Sequence, residues 1–223
     1  MAIYDNVGSD SSGGGDIIPI VKYDARAGRM FRIDREDGTN TPVDITRDFK
    51  AVFDFENIEI GYILFEAGSA PSFAMARFGS PMPAAPSPKY KRGTRVMIKL
   101  ASSLGGDVRE IAGNSRAFLD GINAIHTAYE AGMAANPGKL PVVALKDTIP
   151  VTSGQGEKKS TNYTPVFEIV SWAPRPADLT YTPRATAAPA TAAPEASRAS
   201  PPSTGSTRAE PPKASPVADD DFG

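Results

Sequence analysis

Over most of its first hundred positions the chain alternates apolar and polar residues with the period of two that belongs to half-buried strands. Residues 17–23, with Ile17, Ile18, Ile20 and Val21, read as a strand that starts at a sheet edge, because Pro19 has no N–H to give to a ladder. Residues 29–34 put Arg29, Phe31 and Ile33 on one face and Met30 and Arg32 on the other, and pair with the first strand as a hairpin. Residues 37–41, with Gly38 and Asn40, carry turn chemistry. Two further alternating runs, 48–55 and 57–66, join near Glu56 and Asn57. Residues 69–91 hold Pro71, Pro81, Pro83, Pro86 and Pro88 and read as one long functional or mobile loop, followed by a strand over 92–100.

The period changes once. Phe118, Ile122, Ile125, Tyr129 and Met133 form a single stripe at helical spacing, with Asn114 or Ser115 as N-cap and Gly132 and the residues 136–138 as stop signals. Strands over 139–146 and 165–172 follow, separated by a polar loop with Gly154, Gly156, Lys158 and Lys159. The expected fold class is therefore mainly β with one helix. An OB-fold-like antiparallel barrel with elaborated loops fits the order of elements, and a β-sandwich with one helix fits nearly as well.

Composition divides the 223 residues into four parts. A Gly/Ser-rich, flexible N-terminus covers 1–16, and a domain large enough for a real core covers 17–182. An Ala/Pro-rich linker covers 183–218. It lacks the apolar surface to offset its chain entropy and is expected to be disordered. Residues 219–223 form an acidic tip, Asp219, Asp220, Asp221, Phe222, Gly223. Such a tip on such a tether is a mobile peptide for a partner with a basic pocket and an apolar hole. A plain solubilising tail is the alternative. The formal charge of −2 hides an asymmetry, for residues 17–184 are net +3 between acidic ends. With no Cys, disulfides and thiolate metal sites are excluded, which fits a cytoplasmic setting. No apolar run is long enough to span a membrane and no secretory signal is visible.

Little in the chain points to catalysis. The single histidine, His126, lies in the helix and is read as packing or solvated, no phosphate-binding loop motif occurs, and no carboxylates gather at metal-ligand spacing. Asp54 and Glu56, the closest carboxylate pair, read as a solvated strand face. No enzyme activity, cofactor or metal is expected.

Cations interleaved with rings are the stronger signal, since single strands are held by phosphate neutralisation and base stacking. The candidate nucleic-acid-binding residues are Lys22, Tyr23, Arg26, Arg29, Phe31 and Arg32 in the first hairpin; Arg77 and Phe78 in the long loop; Lys89, Tyr90, Lys91, Arg92, Arg95 and Lys99 leading into the next strand; and Lys158 and Lys159 in the late loop. Phe49, Phe53, Phe55, Tyr62 and Phe167 are assigned to the core, and Trp172 to its cap.

Lys22, Tyr23, Gly28 and Arg29 in the hairpin, the Phe-Asp-Phe-Glu-Asn run of residues 53–57, the closing run of residues 167–172 and the tethered acidic tip together resemble phage-type single-stranded-DNA-binding proteins. Where the bacterial family ends on the phenylalanine, Gly223 follows Phe222 here. The resemblance implies sequence-tolerant binding of single-stranded DNA in replication or recombination, in a host cytoplasm. It implies recruitment of replication or recombination proteins through Asp219, Asp220, Asp221 and Phe222. A homo-oligomer is compatible with it, and a phage structural or assembly protein with a tethering tail is the alternative.

Overall fold

Strands β1 (Ile20–Asp24), β2 (Arg29–Glu36) and β3 (Thr39–Asp44) open the chain in the computed structural model. They are followed by β4 (Lys50–Phe53), a 3-10 turn at Phe55–Asn57, β5 (Glu59–Leu64), β6 (Ser72–Arg77), β7 (Lys91–Leu100) and β8 (Val108–Gly113). The helix α1 (Arg116–Met133) then leads to β9 (Lys139–Ser153) and β10 (Ser160–Pro174). The structure describes residues 18–36, 39–66, 69–156, 159–181 and 183. The expected flexible start (1–16), the linker from 184 onward, the acidic tip (219–223) and Lys158 lie outside the described residues.

The strands join into one strongly curled half-barrel sheet, so the protein is mostly β with one helix. The hydrogen-bonded order is β10-β9-β4-β7-β8-β1-β2-β3, and β5 pairs with both β6 and β7. All pairings are antiparallel except that of β1 with β8, which is parallel and departs from the expected all-antiparallel sheet. β4 and β5 run along the same side of β7, at Ile98–Leu100 and Lys91–Arg95 respectively. The turn at Phe55–Asn57 interrupts them and lets the sheet divide, with β9 beside β4 and β6 beside β5.

α1 covers the inner face. Ser115 caps it by accepting from the Phe118 N–H at 3.3 Å. Phe118, Ile122, Ile125 and Tyr129 are buried against Phe53, Phe55, Val96, Ile98 and Ile111. Each such side chain contributes roughly 1.5–3 kcal/mol of transfer free energy, so packing rather than propensity holds the helix. Two glycines allow the close approach to β10: a Cβ at Gly121 would lie 2.6 Å from the Pro165 carbonyl oxygen, and one at Gly132 2.6 Å from the Trp172 ring. Trp172 stacks on Tyr129 with centroids 5.8 Å apart, the capping role expected of it. Met133, the last residue of the expected stripe, is exposed.

Three strands depart from the sequence pattern. β3 lies where residues 37–41 read as turn; its described side chains are all exposed and it includes Pro42, so no alternation marks it. β6 lies within the expected long loop, with Phe73, Ala74 and Met75 buried in succession instead of alternately. β8 reads as polar because Arg109 and Glu110 point into buried ion pairs. β9 and β10 in turn exceed their expected lengths and project as a ribbon with Ile149 and Val151 exposed. The base of that ribbon docks on the first hairpin, where the Tyr163 N–H donates to the Ala25 carbonyl at 2.6 Å and the Tyr23 hydroxyl to the Tyr163 carbonyl at 2.8 Å.

Candidate nucleic-acid interface

Beside the packed helix stripe, the inner face opens into a groove of about 500 Å³. Its floor is β5 and β7, with Ile58, Ile60, Gly61, Gly93 and Thr94. One wall is a second stripe of α1, Arg116, Leu119, Asp120, Asn123 and His126, which flanks the buried one at the same three-to-four spacing. The other wall is the start of the Pro-rich segment 78–90, with Phe78 and Met82. This segment carries the chain from the end of β6 back to the start of β7, which lies on the other side of β5. The expected long loop is thereby reduced to a crossover that walls the groove.

The groove holds open valences. Arg92 is exposed, and its guanidinium makes no ion pair or hydrogen bond among the described residues. Arg116 is 89% exposed and its Nε donates to Asp120 at 2.8 Å, leaving its terminal nitrogens outward. Phe78 is 54% exposed and meets the His126 ring edge-on, with centroids 5.4 Å apart. His126 is itself backed by Phe55 at 5.4 Å and Tyr129 at 5.9 Å, with Nδ1 3.7 Å from the Glu130 carboxylate. It packs, as expected, and also lines the groove. The groove is thus lined by one guanidinium without a partner among the described residues, the Arg116–Asp120 pair, a largely bare ring and an apolar floor.

On the outer face the same residue types are taken up by the fold. A strap of residues 175–181 crosses it. Leu179 is fully buried against Met97 and Leu140, and the Tyr181 hydroxyl donates to Glu59 at 3.1 Å. Arg95 is 1% exposed and donates to both Glu59 and Glu110 (2.7 Å to Glu110), so it is withdrawn from the nucleic-acid-binding set: its guanidinium already has two carboxylates and no path to solvent. Lys99 is bound by Asp178. Arg77 donates to the Glu56 carbonyl at 2.9 and 3.1 Å and lies 6.0 Å from the Tyr181 ring centroid. Arg175 anchors the strap through two bonds to Asp54, at 2.6 and 2.9 Å, and one to Glu56 at 2.8 Å. Those bonds to Asp54 hold the Arg175 guanidinium above its ordinary pKa, against the opposing pull of burial. Asp54 is therefore a buried counter-ion; its expected place on a solvated strand face is wrong, because the turn at Phe55–Asn57 rotates it inward.

The remaining sequence-predicted residues scatter. Tyr23 is half-buried, stacked 6.1 Å from Phe118, and burial, with Asp24 adding to it, pushes its phenol up to about 12. Arg32 serves the fold, donating to Asp34 and to the Leu104 carbonyl at 2.7 Å. Burial would raise the Asp34 carboxyl, but the Arg32 and Arg109 guanidinia outweigh it and hold the carboxyl below the usual range. Lys22 and Phe31 are cross-strand neighbours on the outer face of the first hairpin, beside Arg29, which pairs with Asp44 at 2.8 Å. Arg26 is exposed in the intervening turn. Lys89 pairs with Glu66 at 3.1 Å, Tyr90 shares a hydrogen bond with Ser72 at 2.6 Å, and Lys91 is exposed at the start of β7. Lys159 is exposed near the far end of the β9–β10 ribbon.

Of the predicted set, the structure brings only Phe78 and Arg92 into the groove. Sequence reasoning missed Arg116, Asn123, Met82 and any groove role for His126. The signal was present as the polar stripe that flanks the apolar stripe of α1. Among the described residues no group of acidic, histidine or cysteine side chains is arranged to hold a metal ion, and no helix is long and apolar enough to cross a membrane. Comparison with protein-family models, with curated proteins and with solved structures finds no match.

Proposed function

We propose that this protein is a non-catalytic, sequence-tolerant single-stranded-DNA-binding protein of the phage type, acting in replication or recombination in a host cytoplasm. The observation that carries the reading is the groove between α1, the β5–β7 floor and the Pro-rich crossover, lined by Arg92, whose guanidinium has no partner among the described residues, by the exposed Arg116 and Phe78, and by an apolar floor. Phosphates meet the cations and bases meet the ring and floor. A curled half-barrel with one helix is compatible with an OB-like fold, which supports such grooves. The tip at Asp219, Asp220, Asp221 and Phe222 recruits replication or recombination proteins through its charge and single ring.

The test is fluorescence anisotropy of a labelled oligo-dT against a duplex of equal length at two salt concentrations. Tight, salt-sensitive binding of the single strand with weak duplex binding is expected; no binding to either at low salt overturns the reading. A second reading, a phage assembly protein, is favoured by the projecting ribbon with Ile149 and Val151 exposed at 52% and 48%. A regular multimer at micromolar concentration with no preference for single strands would establish it instead.

A further inference from the structure

The groove is more than a basic channel. Much of its lining is apolar, from Ile58 and Ile60 on the floor, Leu119 and Ile122 on α1, and Phe78 and Met82 on the crossover. Its volume falls within the range of roughly 300–1,000 Å³ typical of pockets that bury a small flat ligand. A phosphate has no reason to enter such a space, because it would lose its hydration without a cation to replace it. An aromatic heterocycle gains there, provided its polar edge finds a partner.

One side chain can supply that partner. Asn123 lies on the groove-facing stripe of α1, one turn from both Leu119 and His126, and is exposed. Its side-chain amide makes no hydrogen bond among the described residues; the bond at this position is the backbone carbonyl accepting from Thr127 at 2.9 Å. Among the other polar side chains lining the groove, the His126 ring is packed among Phe55, Phe78 and Tyr129. Thr94 donates to the Glu59 carbonyl at 2.9 Å, and Asp120 is held by Arg116.

We infer, resting on the strand-binding reading above, that the apolar part of the groove takes one unpaired nucleobase of the bound strand, stacked against Phe78, with the Asn123 amide on its pairing edge. A carboxamide offers one acceptor beside a donor. The pairing edge of every base also places a donor beside an acceptor: the amino group and ring nitrogen in adenine and cytosine, the ring N–H and carbonyl in guanine and thymine. The amide thus fits all four, which reconciles a polar reader with sequence tolerance. It also excludes duplex, in which that edge is already occupied. Arg92 and Arg116, which line the same groove, hold the flanking phosphates.

The experiment compares a labelled oligo-dT with an abasic strand of the same length and charge, bound by the full chain and by Asn123→Ala and Phe78→Ala. Asn123→Ala places a better helix former at an exposed helix position, so folding is not at stake; circular dichroism confirms it for both variants. The full chain should bind the thymine strand at least about tenfold more tightly than the abasic strand, as stacking of one base implies. In either variant that ratio should fall toward one, and Asn123→Gln should restore part of it. Equal binding of the two strands by the full chain, or a ratio unchanged in the variants, overturns the base pocket while leaving strand binding through the cations standing. Binding of neither strand overturns the strand-binding reading and the pocket with it.

Discussion

The inner groove and the outer face beneath the strap are built from the same kinds of residue, yet they are opposites. Outside, Arg95, Lys99 and Arg175 each meet a carboxylate, and Tyr181 lies over Arg77. Inside, Arg92 has no partner among the described residues, Arg116 turns its terminal nitrogens outward, and Phe78 is largely bare. A cation whose donors are taken up by the fold contributes cohesion, and one with donors left open to the groove contributes binding. Residue type along the sequence does not separate the two; the partner across the sheet does.

The largest effect that sharpens this contrast is on the outer face. Arg95→Ala removes the guanidinium that bridges the buried Glu59 and Glu110 carboxylates and should cost about 3–5 kcal/mol of stability, measured by denaturant unfolding. If stability is unchanged, the outer cations are not structural and the contrast is lost. Charge reversal inside, Arg92→Glu with Arg116→Glu, should leave the unfolding midpoint nearly unchanged and lower single-strand affinity by about one order of magnitude per reversed charge at low salt. Arg175→Ala comes next. Removing the two bonds to buried Asp54 should cost about 1–3 kcal/mol, discounted because Arg175 is one-third exposed. It should also release the strap, seen as faster proteolysis after residue 174.

The smallest effects are in pH. Burial of the Tyr23 phenol, with Asp24 beside it, raises its pKa to about 12, so the folded state favours the neutral form. That contribution is intact below the unfolded value of about 10 and is lost as pH rises from there toward 12. Tyr23→Phe should flatten the alkaline fall in melting temperature between pH 9 and 11; an unchanged profile would remove Tyr23 from the account. Asp178 works in the opposite sense. Its hydrogen bond to Lys99 lowers its pKa, so its contribution is present above about pH 3.9 and lost as pH falls below it.

Much of the fold was legible because packing imposes a period. The helix was marked by its 118–122–125–129 stripe, and the strands β1, β2, β4, β5 and β7 by their alternation. The strands that were not legible lack that signature for a physical reason. β3 has no face to bury, β6 is buried on successive residues under small side chains, and β8 hides its charges in ion pairs. The site was less legible than the fold. Lys89–Arg92 stood out as a charged run, but Lys89 is matched by Glu66, a residue 23 positions away. Arg95 and Lys99 sat on an alternating strand like any surface cations, and only the return of the chain at residues 175–181 closes the outer face over them. Asn123 and Arg116 drew no notice because a polar helix flank ordinarily faces water; here it faces the crossover of residues 78–90.

The central claim, that the cations lining the groove bind and those held beneath the strap do not, is tested most directly by the salt dependence of oligo-dT affinity in two double variants. Arg92→Ala with Arg116→Ala should reduce the magnitude of the slope of log affinity against log salt by about 0.7 for each lost phosphate contact. Arg77→Ala with Lys99→Ala should leave it at the wild-type value. Equal reductions in both, or a reduction confined to the outer pair, would contradict the account and move the binding surface to the strap side of the sheet.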